Sequence, residues 1–540
     1  MTTNPFLLTD FYKISHPFQY PKGTTLVYSN LTPRKSRLQG VNKMTFFGLQ
    51  YFIKEYLIEY FNKNFFEQPK EQLLKDYKRR VVTSLGNDLP TYEHIEKLHD
   101  LGYLPIEIKA LPEGVAVKMK VPVLTVVNTL PEYFWLTNFI ESLMSAILWQ
   151  PCTSATIAKE YKKILNNFAK KTGMSNEFIQ WQGHDFSFRG MSSLESATLS
   201  GMGHLLSFTG TDTIPSIDAL EKYYNADADK ELIGGSVPAT EHAIMCSGSK
   251  DGEIETFKRL ITEIYPTGVI SIVSDTWDLW KVCTEYLTEL KDIVLSRDGK
   301  VVIRPDSGNP VDIICGLNIK KYDNWQNALH EKVSIFEYQN NYYKANLNSV
   351  QEYIDEFGNE HHNFDCGLDS FAEITTINTN EHKGVVELLW NIFGGTLTET
   401  GHKLLDSHIG AIYGDSITRE RATEICQRLM DKGFASQVVF GIGSYTYQYN
   451  TRDTFGIAMK ATYIEIGDEK REIFKNPITD DGTKISATGL LCVIKEDNEY
   501  KLVDKVTWKE EQESELKTVF KNGKLIKDWT LTEIRNNCKC

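Results

Sequence analysis

Between His184 and Ser444 the chain repeats one pattern: a short apolar run, a charged or glycine residue at its end, then a helix-length segment. The runs are His184-Asp-Phe-Ser-Phe-Arg-Gly190, Gly210-Thr-Asp-Thr213, Val237-Pro-Ala-Thr-Glu-His242, Val269-Ile-Ser-Ile-Val-Ser-Asp275, Val301-Val-Ile-Arg-Pro-Asp306, Ile409-Gly-Ala-Ile-Tyr-Gly-Asp415 and Val438-Val-Phe-Gly-Ile-Gly-Ser444. β-Branched apolar runs of this length read as buried strands. The run at Val301–Ile303 stops at Arg304-Pro305, because proline has no N–H for an interior ladder, and Asp306-Ser-Gly-Asn-Pro310 reads as a tight turn. Helices are predicted over Ser192–Leu206, Ser216–Tyr224, residues 252–265, Trp277–Leu290 and Thr418–Lys432. Strand-then-helix order implies a mostly parallel sheet with right-handed crossovers. The number of units points to an irregular (β/α) barrel over residues 131–453.

The flanks have a different texture. Val27–Asn30 and Val121–Thr129 read as strands, and Leu104–Gly114 alternates apolar and charged residues, as a strand with one buried face does. An alternating strand returns over Thr454–Ile466, with further strands in residues 483–508. The expected fold is therefore α/β, with a second, discontinuous β-rich domain formed by residues 1–130 and 454–540. Helical segments are predicted from Phe46 to about Phe61, within 66–100, over Glu132–Gln150, and separately over Thr153–Lys171. A polar stretch at about 317–402, rich in Asn, Tyr, Glu and Asp, interrupts a barrel crossover and reads as a surface insertion with some helix of its own. Within it, Glu360-His361-His362 with Asp365 and Cys366 matches no standard zinc spacing.

Composition excludes some function classes. A net charge of -13 argues against a general binder of nucleic acid or anionic membranes, so a site for an anionic substrate must be locally basic. The nine cysteines are scattered without a CxxC pair, which fits reduced thiols and a cytoplasmic setting. No apolar run is long enough to span a membrane, and Met1-Thr-Thr-Asn-Pro5 lacks the features of a signal peptide.

The strand ends share a chemistry: Phe186 and Arg189, Asp212, Glu241 and His242, Asp275, Arg304 and Asp306, Gly414 and Asp415, then Gly441-Ile-Gly443-Ser444. Singly they are weak signals, since an Asp at a strand end often caps the next helix. Arg304 and Asp306 fit a structural ion pair as well as a ligand site. Together, cations, anions and glycines on the carboxyl rim of one sheet form the pattern of a polar active site. Backbone N–H groups after Gly443 would cradle a phosphate, and Arg452 is placed to add a charge-assisted bond.

Strung in order, these segments resemble the nicotinamide phosphoribosyltransferase family, of type II phosphoribosyltransferases. The matching pieces begin with Leu7-Leu-Thr-Asp-Phe-Tyr-Lys13, Phe47-Gly-Leu-Gln-Tyr51, Leu104-Pro-Ile-Glu-Ile-Lys-Ala110 and Tyr133 to Glu141. They continue through His184–Gly190, Gly210–Thr213, Ser236–His242, Val273-Ser-Asp275, Ile303–Pro310, Tyr413-Gly-Asp415, Thr451-Arg-Asp453 and Thr518-Val-Phe-Lys-Asn-Gly-Lys524. The resemblance implies a homodimer with active sites shared across the interface. It implies transfer of phosphoribose from 5-phosphoribosyl-1-pyrophosphate to nicotinamide, with magnesium, in NAD salvage.

It also implies roles for residues. Phe186, with Tyr12 of the partner subunit, would sandwich the pyridine ring, whose positive charge grows as the glycosidic bond forms. Asp212 would accept from the carboxamide NH2, which disfavours the carboxylate of nicotinate, and Ser271 would bond the carboxamide oxygen. Arg189 and Arg304 fall to pyrophosphate and ribose, and Asp306 and Asp415 to ribose hydroxyls or, for Asp306, magnesium. His242 matches the histidine phosphorylated by ATP, an optional activating co-substrate, with Glu241 and Asp275 orienting its ring. Gly414, Gly443, Ser444 and Arg452 match the 5′-phosphate cradle, and Arg34, Lys460, Lys475 and Lys484 match basic positions around the phosphates.

Two departures from the family pattern stand out. Ser444 replaces a usual glycine, which costs free energy if its φ must be positive. The stretch at 317–402 is absent from the animal-type enzymes and leaves the chain just after Asn309-Pro310.

Overall fold

A computed structural model describes residues 3–86, 88–331, 333–345, 351–354, 360–363, 374–414, 416–479 and 486–539. The chain forms two compact units: Met1–Lys163 with Asp185–Gly235 and Ser444–Cys540, and Ile164–His184 with Ser236–Gly443.

In the first unit the two ends of the chain meet in one seven-stranded sheet. Its order is Glu469–Glu472, Ala458–Ile466, Thr24–Thr32, Leu124–Asn128, Ile106–Ala110, Lys517–Lys521 and Lys524–Leu525. Thr24–Thr32 pairs antiparallel with Ala458–Ile466 on one side and Leu124–Asn128 on the other. The alternation in Leu104–Gly114 takes effect here: Ile106, Ile108 and Ala110 are buried, while Glu107 accepts from Thr518 Oγ1 and Lys109 pairs with the buried Glu511. Residues Leu490–Glu496 and Glu499–Val506 form a hairpin across Asp497 and Asn498, both at positive φ, the two-residue turn whose twist suits paired strands. Beneath the sheet lies an aromatic-rich core that includes Phe6, Phe47, Phe52, Phe65 and Trp135. Each such ring, fully buried, contributes about 1.5–3 kcal/mol.

The two helices expected over 132–150 and 153–171 are divided elsewhere: a 3-10 turn, Pro131–Tyr133, and a short helix, Leu136–Phe139, come first, and one helix, Glu141–Thr172, then runs through with Pro151 inside it. An internal proline costs about 3 kcal/mol in a free helix. Here Leu148, Cys152 and Ala155 are buried on both sides of it, so packing outweighs the lost N–H. The proline ring rests on Gly48, whose φ is 101° and whose added Cβ would lie 2.6 Å from Pro151 Cγ.

In the second unit the strands Gly183–Asp185, Val438–Ile442, Ile409–Tyr413, Asp298–Arg304 and Thr267–Val273 follow one another in a sheet. The last four pair in parallel, as the strand-then-helix pattern requires. Val237–His242 contributes only one parallel bridge, Ala239 to Ser271, because Pro238 cannot donate to the ladder. The protein is thus a mixed α/β fold with a parallel sheet.

The segment read as an insertion carries a sheet of its own, Lys320–Tyr322, Ile335–Tyr338, Asn341–Ala345 and Ile374–Thr376, over a small core of Tyr322, Ala328, Leu329, Phe336 and Ala345. The following helical segment, Thr379–Phe393, is broken at Gly384 (φ 76°, ψ 167°), and the part after the break packs its buried Val385, Val386, Leu388 and Leu389 into the α/β unit, against Pro310–Cys315. Gly316 and Gly384, at φ 82° and 76°, close the neck backbone to backbone, and a Cβ on either would overlap the other strand of the neck. Among the described residues no helix is long and apolar enough to cross a membrane.

Candidate active site

Parallel register assembles the site of the second unit. Val273 pairs with Arg304 and Ala411 with Ile303, so the residues beyond each strand end stay level. Asp275 therefore stands beside Asp306, whose N–H donates to Asp275 Oδ2 at 2.7 Å. Gly414 stands on the other side of Asp306: a Cβ there would lie 2.6 Å from Asp306 Oδ1 and 3.0 Å from Arg304 Nε. Its φ is not in the left-handed region, so glycine is needed here for space. Arg304 Nη2 lies 4.0 Å from Asp306 Oδ2.

His242 is delivered by the segment alongside Ser271. Ser271 N–H donates to Pro238 O, Thr240 N–H to Ser271 O, and Val273 N–H to Thr240 Oγ1. The imidazole is half exposed, with Nε2 3.9 Å from Asp306 Oδ2 and 4.0 Å from Asp275 Oδ1, and Nδ1 3.2 Å from Thr276 Oγ1. Glu241 is exposed and makes no ion pair with His242 among the described residues, so Asp275 and Asp306 face the ring instead. Thr276 was missed in the sequence, where it is one more hydroxyl after a strand. Ser271 Oγ is buried and has no hydrogen-bond partner among the described residues. Asp275 Oδ1 is likewise buried and makes no hydrogen bond among the described residues.

The first unit holds the other group of expected residues. Phe186 is half buried and Arg189 exposed, on the turn after Gly183–Asp185. Asp185 is fully buried, and its carboxylate accepts from Ser187 N–H at 2.9 Å and Thr213 Oγ1 at 2.8 Å. Asp212 N–H donates to Asp185 O, which ties the Asp212 and Phe186 turns together while Asp212 itself is exposed. Ser444 opens the helix Ser444–Gln448 without a positive φ, so the replacement of glycine costs no backbone strain. Gly190 is needed beside it, since a Cβ there would overlap Ser444 Oγ.

Of the basic positions, Arg34, Lys460 and Lys475 lie close enough to act on one another. Arg34 Nε donates to Gly456 O at 2.8 Å, and Arg452 Nη2 lies 3.4 Å from Asp453 Oδ1. Burial holds the Lys460 ammonium below its ordinary pKa; Glu141 opposes this, and nearby Arg34, Lys475 and Lys13 reinforce it. Tyr12 and Lys460 line one cavity of about 390 Å³, together with Lys13, His16 and Glu141. Lys13 is buried and paired with Glu141 at 2.7 Å, which explains why two distant sequence motifs end in these residues. Asp415, Lys484, Asp365 and Cys366 lie outside the described residues.

Carboxylates, a guanidinium and an imidazole thus gather on the carboxyl rim of a parallel sheet, the end of such a sheet where ligands commonly bind. A family model described as the nicotinate phosphoribosyltransferase family matches residues 181–524, and one described as the nicotinamide phosphoribosyltransferase N-terminal domain matches residues 4–108. The chain belongs to the nicotinate and nicotinamide phosphoribosyltransferase family. It is 49% identical to a nicotinamide phosphoribosyltransferase of Acinetobacter baylyi, over 98% of this chain and 96% of that protein. It is 32% identical to a nicotinamide phosphoribosyltransferase of Mycoplasma pneumoniae, over 88% of this chain and 92% of that one. A crystal structure of nicotinate-nucleotide pyrophosphorylase from Pyrococcus furiosus shares the fold, with TM-score 0.53 and 12% identity, covering 99% of this chain and 95% of that one.

Proposed function

We propose that the protein transfers phosphoribose from 5-phosphoribosyl-1-pyrophosphate to nicotinamide, giving nicotinamide mononucleotide and pyrophosphate in NAD salvage. The observation that carries this reading is the level set Arg304, Asp306, Asp275 and Gly414 beside His242, in a chain 49% identical over nearly its full length to a nicotinamide phosphoribosyltransferase. In this reading Phe186 stacks on the pyridine, and Asp212 accepts from its amide. The buried Ser271 hydroxyl, which lacks a partner among the described residues, donates to the amide oxygen. Arg189 and Arg304 hold pyrophosphate and ribose, and no protein nucleophile is needed. The work is orientation and charge stabilisation of the leaving group.

The residues fit a magnesium ion. Asp306 and Asp275 present hard oxygens side by side, and Asp275 Oδ1 accepts no hydrogen bond among the described residues. Among the described residues no three such side chains gather into a metal cage. Magnesium is commonly held by one or two carboxylates together with substrate phosphates, and once bound it would neutralise phosphate charge. His242 is read as the site of phosphorylation by ATP, an activating rather than an essential step. Gly443, Ser444, Arg452, Arg34, Lys460 and Lys475 are read as the surroundings of the phosphates. The parallel sheet is read as part of an irregular barrel, and the working form as a homodimer in the cytoplasm that lends Tyr12 to its partner.

The family model leaves nicotinate open as the substrate; in this reading Asp212 speaks against it, since two carboxylates would face each other. Assaying both pyridines with the wild type and Asp212→Asn tests this. Nicotinamide gives the higher kcat/KM in the wild type, and the variant narrows the gap at least tenfold. A wild type that prefers nicotinate sinks the proposal.

A further inference from the structure

A second cavity, of about 540 Å³, lies in the first unit beneath the amino-terminal segment, and the proposed reaction makes no use of it. One wall is the turn Phe11–Ser15, through Phe11 and Ile14; the opposite wall is the helix Lys70–Leu85, through Gln72, Arg79 and Arg80. We infer that this cavity binds a phosphorylated nucleoside, and that its occupancy is felt by Tyr12 and Lys13.

The chemistry of the lining selects that class of ligand. Arg79 and Arg80 are exposed and make no ion pair among the described residues. Side chains at successive helix positions do not face each other, so the two guanidiniums reach the cavity as separate forks, and each fork suits a phosphate. The one acidic residue of the lining, Asp76, accepts from Gln72 Nε2 at 2.9 Å. Phe11 is 42% exposed and offers a ring face to a base. Asn4, also in the lining, uses Oδ1 to accept from Phe6 N–H, while its Nδ2 is buried with no acceptor among the described residues. A buried donor left unmade is costly, and a ligand oxygen relieves it. The volume suits a small-molecule site.

The turn Phe11–Ser15 is a partition. Phe11 and Ile14 face this cavity, whereas Tyr12 and Lys13 face the 390 Å³ cavity that contains Lys460. Residues so close on one tight turn cannot move independently, so a ligand stacked on Phe11 repositions Tyr12. The link to catalysis rests on the function proposed above; the binding site does not.

Calorimetric titration of the full chain with ADP tests both parts. The wild type is expected to show two classes of site. R79A/R80A should lose one class, weakened at least tenfold, and R304A the other. Wild-type stoichiometry in R79A/R80A, with an unchanged melting temperature, overturns the site. Should R79A/R80A fail to fold, R79K/R80K keeps the charge but not the fork and is expected to weaken the same class at least threefold; full binding by it overturns the site equally. For the coupling, ADP should shift the KM for nicotinamide at least threefold more in the wild type than in F11A. Equal shifts overturn the coupling while the site stands. Full activity in R304A would fail the proposed function and leave the cavity untouched.

Discussion

Replacing Gly414 by alanine separates the geometry of the rim from the stability of the fold. The backbone at Gly414 accepts any residue, since its φ is not left-handed. The three atoms nearest the added methyl are site groups: Asp306 Oδ1 at 2.6 Å, Arg304 Nε at 3.0 Å and Arg304 Nη2 at 3.2 Å. Carbon and oxygen do not approach that closely, so the carboxylate must retreat by roughly 0.5–1 Å, and the guanidinium with it. Asp306 is held from behind by its N–H bond to Asp275, so the movement falls on the two side chains that face the ligand. Displacements of this size in positioning groups cost up to about 100-fold in rate, or about 2.7 kcal/mol of transition-state stabilisation. Gly414→Ala is therefore expected to lower kcat/KM for 5-phosphoribosyl-1-pyrophosphate by 10- to 100-fold while the thermal midpoint moves by less than about 2 °C. Gly443→Ala is the control, since a Cβ there meets nothing within 4 Å and its φ is not left-handed. It should fold normally and lose affinity only if a phosphate lies on that backbone. Wild-type kinetics in Gly414→Ala would refute the role given to the Arg304–Asp306 pair.

Three other outcomes are expected. His242→Ala should abolish stimulation by ATP and keep basal transfer within about tenfold of the wild type; an equal ATP response in a coupled assay removes His242 from that role. Glu113 is fully buried and accepts from Gly48 N–H, Gln50 N–H and Tyr224 OH, and burial pushes its carboxyl from 4.5 to about 7. A raised folded-state pKa contributes stability that is whole below about pH 4.5 and lost as pH rises through about 7, on the order of 3 kcal/mol in all. Urea unfolding from pH 5 to 8 should show that decline in the wild type and a flatter profile in Glu113→Gln; identical slopes exclude Glu113 as the cause. Gly384→Ala should destabilise the second unit by more than about 2 kcal/mol, because the left-handed φ and the backbone contact with Gly316 both penalise a Cβ; an unchanged urea midpoint would show that the neck can open without cost.

Much of this molecule is written locally. β-Branched runs ending in charge or glycine mark the strands of the second unit and their functional ends, because burial of a strand leaves a period and a terminus in the chain itself. The alternation of Ile106–Ala110 and the return of strands after Thr454 likewise announce a second sheet. Where local rules and packing conflict, sequence reading fails: Pro151 signals a break, yet buried neighbours on both sides carry one helix through it. The helical segment after Gly384, up to Phe393, reads as insertion from its polar surroundings but packs into the α/β unit, because its buried apolar residues decide where it goes.

What the sequence alone determined is the cast of the site: Arg304, Asp306, Asp275, His242 and Gly414 stand out at strand ends without any structure. Only the tertiary structure decided their relations. Register between parallel strands is a choice among distant segments, and it alone sets Asp275 level with Asp306 and puts Gly414 against both Asp306 and Arg304. The same holds for Lys13 and Glu141, and for the turn that divides two cavities between Phe11 and Tyr12. Local periodicity encodes which face of an element is buried; which element covers it is settled by long-range packing, and the chemistry of the rim follows from that.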